Sequence, residues 1–396
     1  MRASNIHSVE DARRGAARAV PRPVFDYIDG AADDEVTAAQ NVAAFRRITF
    51  RPRAAVGAVE ADTATSVLGV SLSLPVMLAP AGLVRIMHPD GARCVARAAA
   101  AAGTVSVLSS VAGTALEEVA AGVDGPLWFQ LYAPGGASQT DALVKRAQQA
   151  GYAGLVITVD TAALGNRERD VRHGVAPPFR FAPWPAARLG AQVVTRPRWL
   201  LGTARSELRG RRRGRDARVS TGAPLSDPAA GDPTARRVAM AASPFTWADV
   251  SDIRRRWSGP LVVKGIVTPE DATLALGAGA DGVIVSNHGG RQLDGAPATM
   301  DVLPAVVDAV DGRAPVLVDG GVRRGSDVVK AVAAGACAVL VGRAYLYGLA
   351  AAGEAGVGRV LEVLRDDTVR TLQLLGCPSV AQLDRSWIDL PGRDRD

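Results

Sequence analysis

Residues 281–295 read DGVIVSNHGGRQLDG. The first part, Gly282-Val283-Ile284-Val285, is continuously apolar and β-branched, without polar alternation. That is the composition of a strand buried on both faces, as in a parallel sheet. Where the run stops, a histidine, an arginine and an aspartate are packed among three glycines. A buried strand with chemistry at its end is a pattern to look for elsewhere in the chain.

Seven further runs show it: PVMLAP (75–80), TVSVLSS (104–110), PLWFQLY (126–132), GLVITVD (154–160), PLVVKG (260–265), APVLVDG (314–320) and CAVLVG (337–342). Helical patterns separate them, such as DGARCVARAAAAAG (90–103) and GSDVVKAVAAGA (325–336). Eight β/α units predict a TIM (β/α)8 barrel rather than a doubly wound sheet. Most runs finish in polar or backbone-exposing residues: Ser109-Ser110, Gln130-Leu131-Tyr132, Thr158-Val159-Asp160, Lys264-Gly265, Ser286-Asn287-His288, Asp319-Gly320-Gly321 and Gly342-Arg343. Any one could be a structural polar residue. In a barrel all eight ends meet on one face, so together they predict a single shared pocket.

The barrel is expected to occupy residues 71–360. Before it, residues 1–70 form an N-terminal helical segment, with patterns at 7–20 (HSVEDARRGAARAV) and 34–48 (DEVTAAQNVAAFRRI); after it, 361–396 form a C-terminal helical tail. An insertion at 165–245, rich in Arg, Pro and Gly, follows the fourth strand and reads as a long lid. Its flank from Gly165 to His173 is expected to touch ligand.

Composition narrows the class further. The net charge is +6, and much of the excess lies in residues 196–218, RPRWLLGTARSELRGRRRGRDAR. Such a run is a solvated surface segment, or a peripheral membrane or partner contact anchored by Trp199, Leu200 and Leu201. No nucleic-acid recognition motif accompanies it, so nucleic acid is not expected as a partner. No apolar run approaches the roughly 18 residues that span a bilayer. The first twenty residues lack a signal-peptide core. Cys94, Cys337 and Cys377 are odd in number and widely spaced, so neither disulfides nor a metal site is indicated. The expected location is cytoplasmic, with the inner face of the membrane as the alternative.

Two loops suit an anion. VDGGVRRGSD (318–327) opens into a helix, and VGR (341–343) follows the last run. Glycines let backbone N–H groups approach, helix N-termini add partial charge, and Arg323 and Arg343 add full charge. Gly320, Gly321 and Gly342 complete this phosphate site, and Asp319 beside them is a further cofactor-binding candidate. Ser109, Gln130, Thr158 and Lys264 offer hydroxyls, an amide and an ammonium, which suit the edge of a flavin pyrimidine. With one phosphate, FMN fits better than a dinucleotide. Of the four histidines, His288 is placed to act as a general base, with Asp160 to orient it and Arg291 to clamp a carboxylate. His88 (in RIMHPDG) suits a turn before a helix, and His173 receives no role.

The motifs VFDYIDGAADDE (24–35), RPR (51–53), LAPAG (78–82), LSS (108–110), FQLY (129–132), TVD (158–160), VKG (263–265), SNHGGRQLDGAPAT (286–299), LVDGGVRRGSDVVKA (317–331) and VGRAYL (341–346) carry a resemblance over nearly the whole chain. It resembles the FMN-dependent α-hydroxy-acid dehydrogenase/oxidase family, which includes glycolate oxidases, lactate oxidases and dehydrogenases, and mandelate dehydrogenases. The resemblance implies oxidation of an L-2-hydroxy acid, lactate- or mandelate-like, to the 2-oxo acid. Oxygen, a quinone or a carrier protein would take the electrons, and the enzyme would be a homo-tetramer. It implies His288 as the base with Asp160 behind it, and Arg291, Arg167 and Tyr27 as carboxylate ligands. Tyr132 would meet the substrate hydroxyl. Pro80, Ala81 and Gly82 would border the flavin N5, and Lys264 and Ser286 would bind the ring and ribityl chain. Only the resemblance gives roles to Tyr27, Tyr132, Arg167 and Ser286.

Two departures bear on substrate size. Val111-Ala112 follow LSS where glycolate-oxidase-like members carry tryptophan, and Gly82 stands where many oxidases have alanine. Both predict a substrate larger than glycolate. TRPRWL (195–200) and GRAYLYGLAAAGEAG (342–356) also resemble a mycofactocin-associated branch that oxidises a peptide-derived amine or hydroxy group, which is the second reading. A basic, non-enzymatic binding protein on a barrel scaffold is the third.

Overall fold

The computed structural model describes residues 1–57, 60–132, 137–173, 195–212 and 245–391. The strands are β1 (Thr49–Phe50), β2 (Thr65–Val67), β3 (Val70–Leu72), β4 (Val76–Leu78), β5 (Ser106–Ser109), β6 (Leu127–Leu131), β7 (Gly154–Thr158), β8 (Leu261–Ile266), β9 (Gly282–Val285), β10 (Val316–Asp319), β11 (Ala338–Val341) and β12 (Ile388–Asp389). β4 to β11 are parallel to their neighbours in sequence order, and β11 returns to β4 through Val339↔Val76 to close the barrel. The expected TIM barrel is therefore the fold. Most strands stop one or two residues before their apolar runs were expected to end, because those last residues leave the ladder to line the barrel mouth; β8 instead runs one residue further, to Ile266.

Period-two alternation explains why the runs are apolar throughout. Met77, Val107, Trp128, Val156, Val262, Ile284, Leu317 and Leu340 point inward and pack with Val67 and Leu72 of the β2–β3 hairpin. Their neighbours Val76, Leu108, Phe129, Leu155, Val263, Val283, Val318 and Val339 point outward against the helices. Fully burying each such side chain contributes about 1.5–3 kcal/mol.

Among its described residues the N-terminal segment holds three α-helices, α1 (Val9–Ala19), α2 (Arg22–Asp29) and α3 (Val36–Arg47). The sequence patterns locate α1 and α3. They miss α2, whose eight residues are too few to display a period, although Pro23 in its first turn suits a helix start. The buried face of α3 is Thr37, Asn41, Ala44 and Phe45. It lies against the chain that follows β9: a Cβ on Gly290 would meet the Ala38 backbone N at 2.5 Å.

Two expectations need correction. The barrel–tail boundary at 360 falls inside a helix, since Arg343–Leu375 is continuous apart from a break at Ala352 and Gly353. Its far end leads to β12, which pairs antiparallel with β1. Within the insertion, Pro197–Arg212 form a helix, but Trp199 is no surface anchor. Its indole donates to the Ile86 carbonyl at 2.8 Å and its ring is half-buried. Leu200 and Leu201 are exposed. The insertion's residues 174–194 and 213–244, including the basic Arg213, Arg215 and Arg218, lie outside the described residues. Among the described residues, no helix is long and apolar enough to cross a membrane.

Candidate active site

A cavity of about 350 Å³ opens among the C-terminal strand ends. Of the residues singled out from the sequence, Tyr27, Pro80, Ala81, Gly82, Tyr132, Thr158, Arg167, Lys264, His288, Arg291, Asp319, Gly320, Gly321, Arg323, Gly342 and Arg343 line it. Ser109, Gln130, Asp160 and Ser286 stand one side chain behind. Ser109 Oγ donates to Gln130 Oε1 at 2.7 Å, and Gln130 Nε2 donates to Thr158 Oγ1 at 3.0 Å. Ser286 Oγ accepts from Lys264 Nζ at 2.7 Å. This buried polar chain holds Thr158 and Lys264 in place at the wall.

His288 leaves β9 with φ +57°, in the left-handed region, followed by Gly289 and Gly290 at +65° and +75°. That turn aims the imidazole across the mouth. Its Nδ1 lies 3.0 and 3.2 Å from the two Asp160 carboxylate oxygens. Burial alone would raise the Asp160 pKa, but the charge and hydrogen bond of His288, with Lys264 beyond, hold it below the usual value. An ionised carboxylate only accepts, so it fixes the ring proton on Nδ1 and leaves a lone pair on Nε2. Nε2 is 3.4 Å from the Tyr132 hydroxyl, so both groups address one point of the cavity. Burial pushes the His288 pKa below 6.5, against the pull of Asp160, so the ring is neutral near pH 7.

Arg291 donates from Nη1 to the carbonyls of Tyr27 and Gly30 at 2.8 and 2.9 Å. No hydrogen bond from its Nε or Nη2 is present among the described residues, so one edge of the fork remains for an anion. Burial, then the charge of Arg167, pushes Arg291 down to about 9. Two guanidiniums on one cavity wall call for a carboxylate between them. Tyr27, whose ring lies 5.0 Å from the Arg291 guanidinium carbon, reaches the same wall from α2 and donates to the Gly82 carbonyl at 3.3 Å.

The anion site takes a different form from the sequence reading. The helix Gly325–Ala333 does not offer its N-terminus, because Gly325 N–H donates to Asp367 Oδ2 at 2.8 Å and Asp327 accepts from the N–H groups of Arg323 and Arg324 just before it, at 2.8 and 2.9 Å. The helix beginning at Arg343 is open: its cap, Gly342, has no side chain to close it. Gly320 and Gly321 have φ of +92° and +89°, and a Cβ on Gly321 would meet the Asn41 carbonyl O at 2.1 Å. Arg343 Nε and Asp319 Oδ1 are buried without hydrogen-bond partners, and both residues line the cavity. An open helix N-terminus, glycine backbone and two arginines fit a phosphate. Lys264, Asp319 and Thr158 fit the polar edge of a ring. The residues present suit FMN.

Several participants escaped the sequence. Gln292 donates to the carbonyls of Asp160 and Ala163, both at 2.8 Å, fastening the β7 loop to the β9 loop. Asp29 joins Arg13, Arg169 and Tyr347. His173 Nε2 lies 2.7 Å from Asp26 Oδ2, so the insertion's first turn is tied to α2. Asp294, the aspartate of the opening stretch, accepts from the N–H groups of Val36 and Thr37 and caps α3. His88 sits in its turn before the helix Gly91–Ala101, accepting from the Asp90 N–H. A polar residue at helical spacing on a buried face, such as Thr37 or Asn41, was the one available signal.

These features define a flavin-binding oxidoreductase site on a TIM barrel. Residues 16–390 match the FMN-dependent dehydrogenase family. Among relatives, a peroxisomal (S)-2-hydroxyacid oxidase of Arabidopsis thaliana is 39% identical over 383 residues, 97% of this chain and 96% of that one. Glycolate oxidase of Spinacia oleracea is 40% identical over 385 residues, 97% of this chain and 95% of that one. Among solved structures, a monotopic membrane protein, (S)-mandelate dehydrogenase, superposes with a TM-score of 0.84 at 37% identity, covering 98% of this chain and all of that one. The chain belongs to the FMN-dependent dehydrogenase family. It is an FMN-dependent enzyme, and the reading as a non-enzymatic basic binding protein falls away.

Proposed function

We propose that the enzyme oxidises an (S)-2-hydroxy acid to the 2-oxo acid and favours side chains larger than that of glycolate. The observation that carries this reading is His288 Nε2 beside the Tyr132 hydroxyl in the cavity that Arg167 and Arg291 also line. Arg291, through its free edge, and Arg167 hold the substrate carboxylate, with Tyr27 alongside. Tyr132 orients the hydroxyl. His288 Nε2 takes one of the two protons that the oxidation releases, and Asp160 stabilises the imidazolium that forms. FMN, when bound, would accept the two electrons and the second proton. Lys264, Asp319 and Thr158 hold its ring, while Gly320, Gly321, Arg323, Gly342 and Arg343 hold its phosphate.

Anaerobic mixing of the yellow holoenzyme with a panel of 2-hydroxy acids tests this reading. Bleaching by (S)-mandelate and (S)-lactate supports it. Bleaching only by peptide-derived amines would hand the site to the second reading. The same proposal includes a homo-tetramer, a cytoplasmic location and a peripheral membrane contact through residues 196–218. Exposed Leu200 and Leu201 beside Arg198 and Arg205 support the contact, and the mandelate dehydrogenase relative is described as monotopic. Binding to anionic vesicles that salt weakens would favour it.

A further inference from the structure

We propose that Asn41, on α3, is a positioning residue for His288 and acts through a reciprocal amide pair with Asn287. The proposal rests on His288 being the proton-transfer group. Asn41 Nδ2 donates to Asn287 Oδ1 at 2.8 Å, and Asn287 Nδ2 donates to Asn41 Oδ1 at 2.9 Å. The remaining capacity of Asn287 is also used: Nδ2 donates to the Pro297 carbonyl at 2.9 Å, and Oδ1 accepts from Gly290 N–H at 3.2 Å. Asn41 Oδ1 accepts in addition from Thr299 N–H at 3.1 Å. Both side chains are buried.

The turn this pair grips is costly to hold. His288, Gly289 and Gly290 are three consecutive left-handed residues, and for histidine that conformation persists only where its surroundings over-determine it. Asn287 directly precedes it. On the same face of α3, Thr37 hydroxyl donates to the Ala296 carbonyl at 3.0 Å, and Ala38 abuts Gly290. One turn further on, Asn41 supplies the side-chain grip. α3 is thus a splint for residues 287–299, and its amide sets where the imidazole stands relative to Asp160.

The test is steady-state and stopped-flow kinetics on holoenzyme variants, compared at equal FMN content. Asn41→Asp has the same shape but sets an oxygen against Asn287 Oδ1. It is expected to lower kcat on the order of 10²-fold with KM little changed, as for a small misplacement of a reacting group. Asp160, Lys264, Arg167 and Tyr132 face the ring, and Asp160 favours its charged form. Loosening that contact should move the acid limb of kcat/KM to lower pH, the same direction expected for Asp160→Asn. Asn287→Ala combined with Asn41→Asp should cost little more than either alone, since both break one link. Asn41→Ser, smaller and still able to donate, serves if the aspartate variant does not fold, with the same expected direction. An unmoved acid limb, or losses that multiply in the double variant, would show that Asn41 only packs α3 and would overturn the proposal. His288→Gln is measured in parallel. If it turns over normally, the assignment of His288 falls and this proposal with it. If it is inactive while Asn41→Asp behaves as wild type, only this proposal falls.

Discussion

A Cβ built on Gly82 would stand 3.2 Å from Cγ2 of Val111. The same atom would stand 3.3 Å from the Tyr27 hydroxyl, so a methyl group here presses on a residue of the carboxylate wall. Gly82 and Val111 therefore share one flank of the cavity, and neither fills it. What occupies that flank is set by the substrate.

An aromatic or long-chain 2-hydroxy acid should outperform glycolate in kcat/KM, with lactate between them. Burying a ring gains roughly 25 cal/mol per Å² of apolar area. Val111→Trp should reverse the order by filling the flank. A wild-type preference for glycolate over mandelate would rule this out.

His288→Gln should retain FMN and lose flavin reduction by roughly 10²–10⁴-fold, the usual contribution of a general base. In the wild type, only neutral His288 can take a proton, so kcat/KM rises with pH until the ring is deprotonated. Burial lowers its pKa, which places this limb below 6.5. Asp160→Asn removes the charge that opposes that lowering, so its limb should lie lower still and its plateau should fall. A wild-type limb above 6.5 would contradict the buried, neutral imidazole.

Arg291→Lys keeps a charge but cannot both hold the Tyr27 and Gly30 carbonyls and present a planar edge to a carboxylate. KM should rise and kcat fall, with FMN still bound. Kinetics equal to wild type would remove Arg291 from the clamp.

Asp29 gives a stability prediction. Burial would raise its pKa, but hydrogen bonds from Arg13, Tyr347 and Arg169 outweigh that and hold it below the usual 3.8. A depressed carboxylate pKa adds stability above the unfolded value and loses it as pH falls towards the folded one. Asp29→Asn should therefore cost roughly 1–3 kcal/mol at pH 7, the scale of charged hydrogen bonds. The gap should shrink below about pH 4. Urea melts of both proteins at pH 7 and pH 3 check this; a gap independent of pH would mean that the carboxylate's charge contributes nothing.

The barrel was legible because each strand writes its burial on both faces into consecutive residues, as in Val283-Ile284-Val285. The strand-end chemistry was legible for the same reason: His288, Lys264 and Asp319 interrupt apolar runs at fixed places. What stayed hidden depends on contacts across long stretches of chain. Nothing local in Asp294 says that it caps a helix beginning at residue 36, and nothing in Gln292 shows that Asp160 and Ala163 will be within reach. Trp199 beside leucines and arginines has the composition of a surface anchor, and only packing reveals the Ile86 carbonyl that claims its indole. α2 is too short for its period to show, so Tyr27 on it looked like any aromatic.

The ladder between β1 and β12 has a temporal meaning. Thr49 and Asp389 are 340 positions apart, and at about 5–20 residues per second the ribosome needs roughly 17–70 s to travel between them. For most of that time α3 has no residues 287–299 to lie against, and β1 has no partner. The half-made protein thus carries an uncovered helix face, with Phe45 and Ala44 bare and the polar groups of Thr37 and Asn41 without their later partners, and an open strand edge, which invite chaperones and aggregation alike. Mutations that weaken α3 packing should then lower the yield of enzyme made in cells more than they lower the stability of enzyme already made.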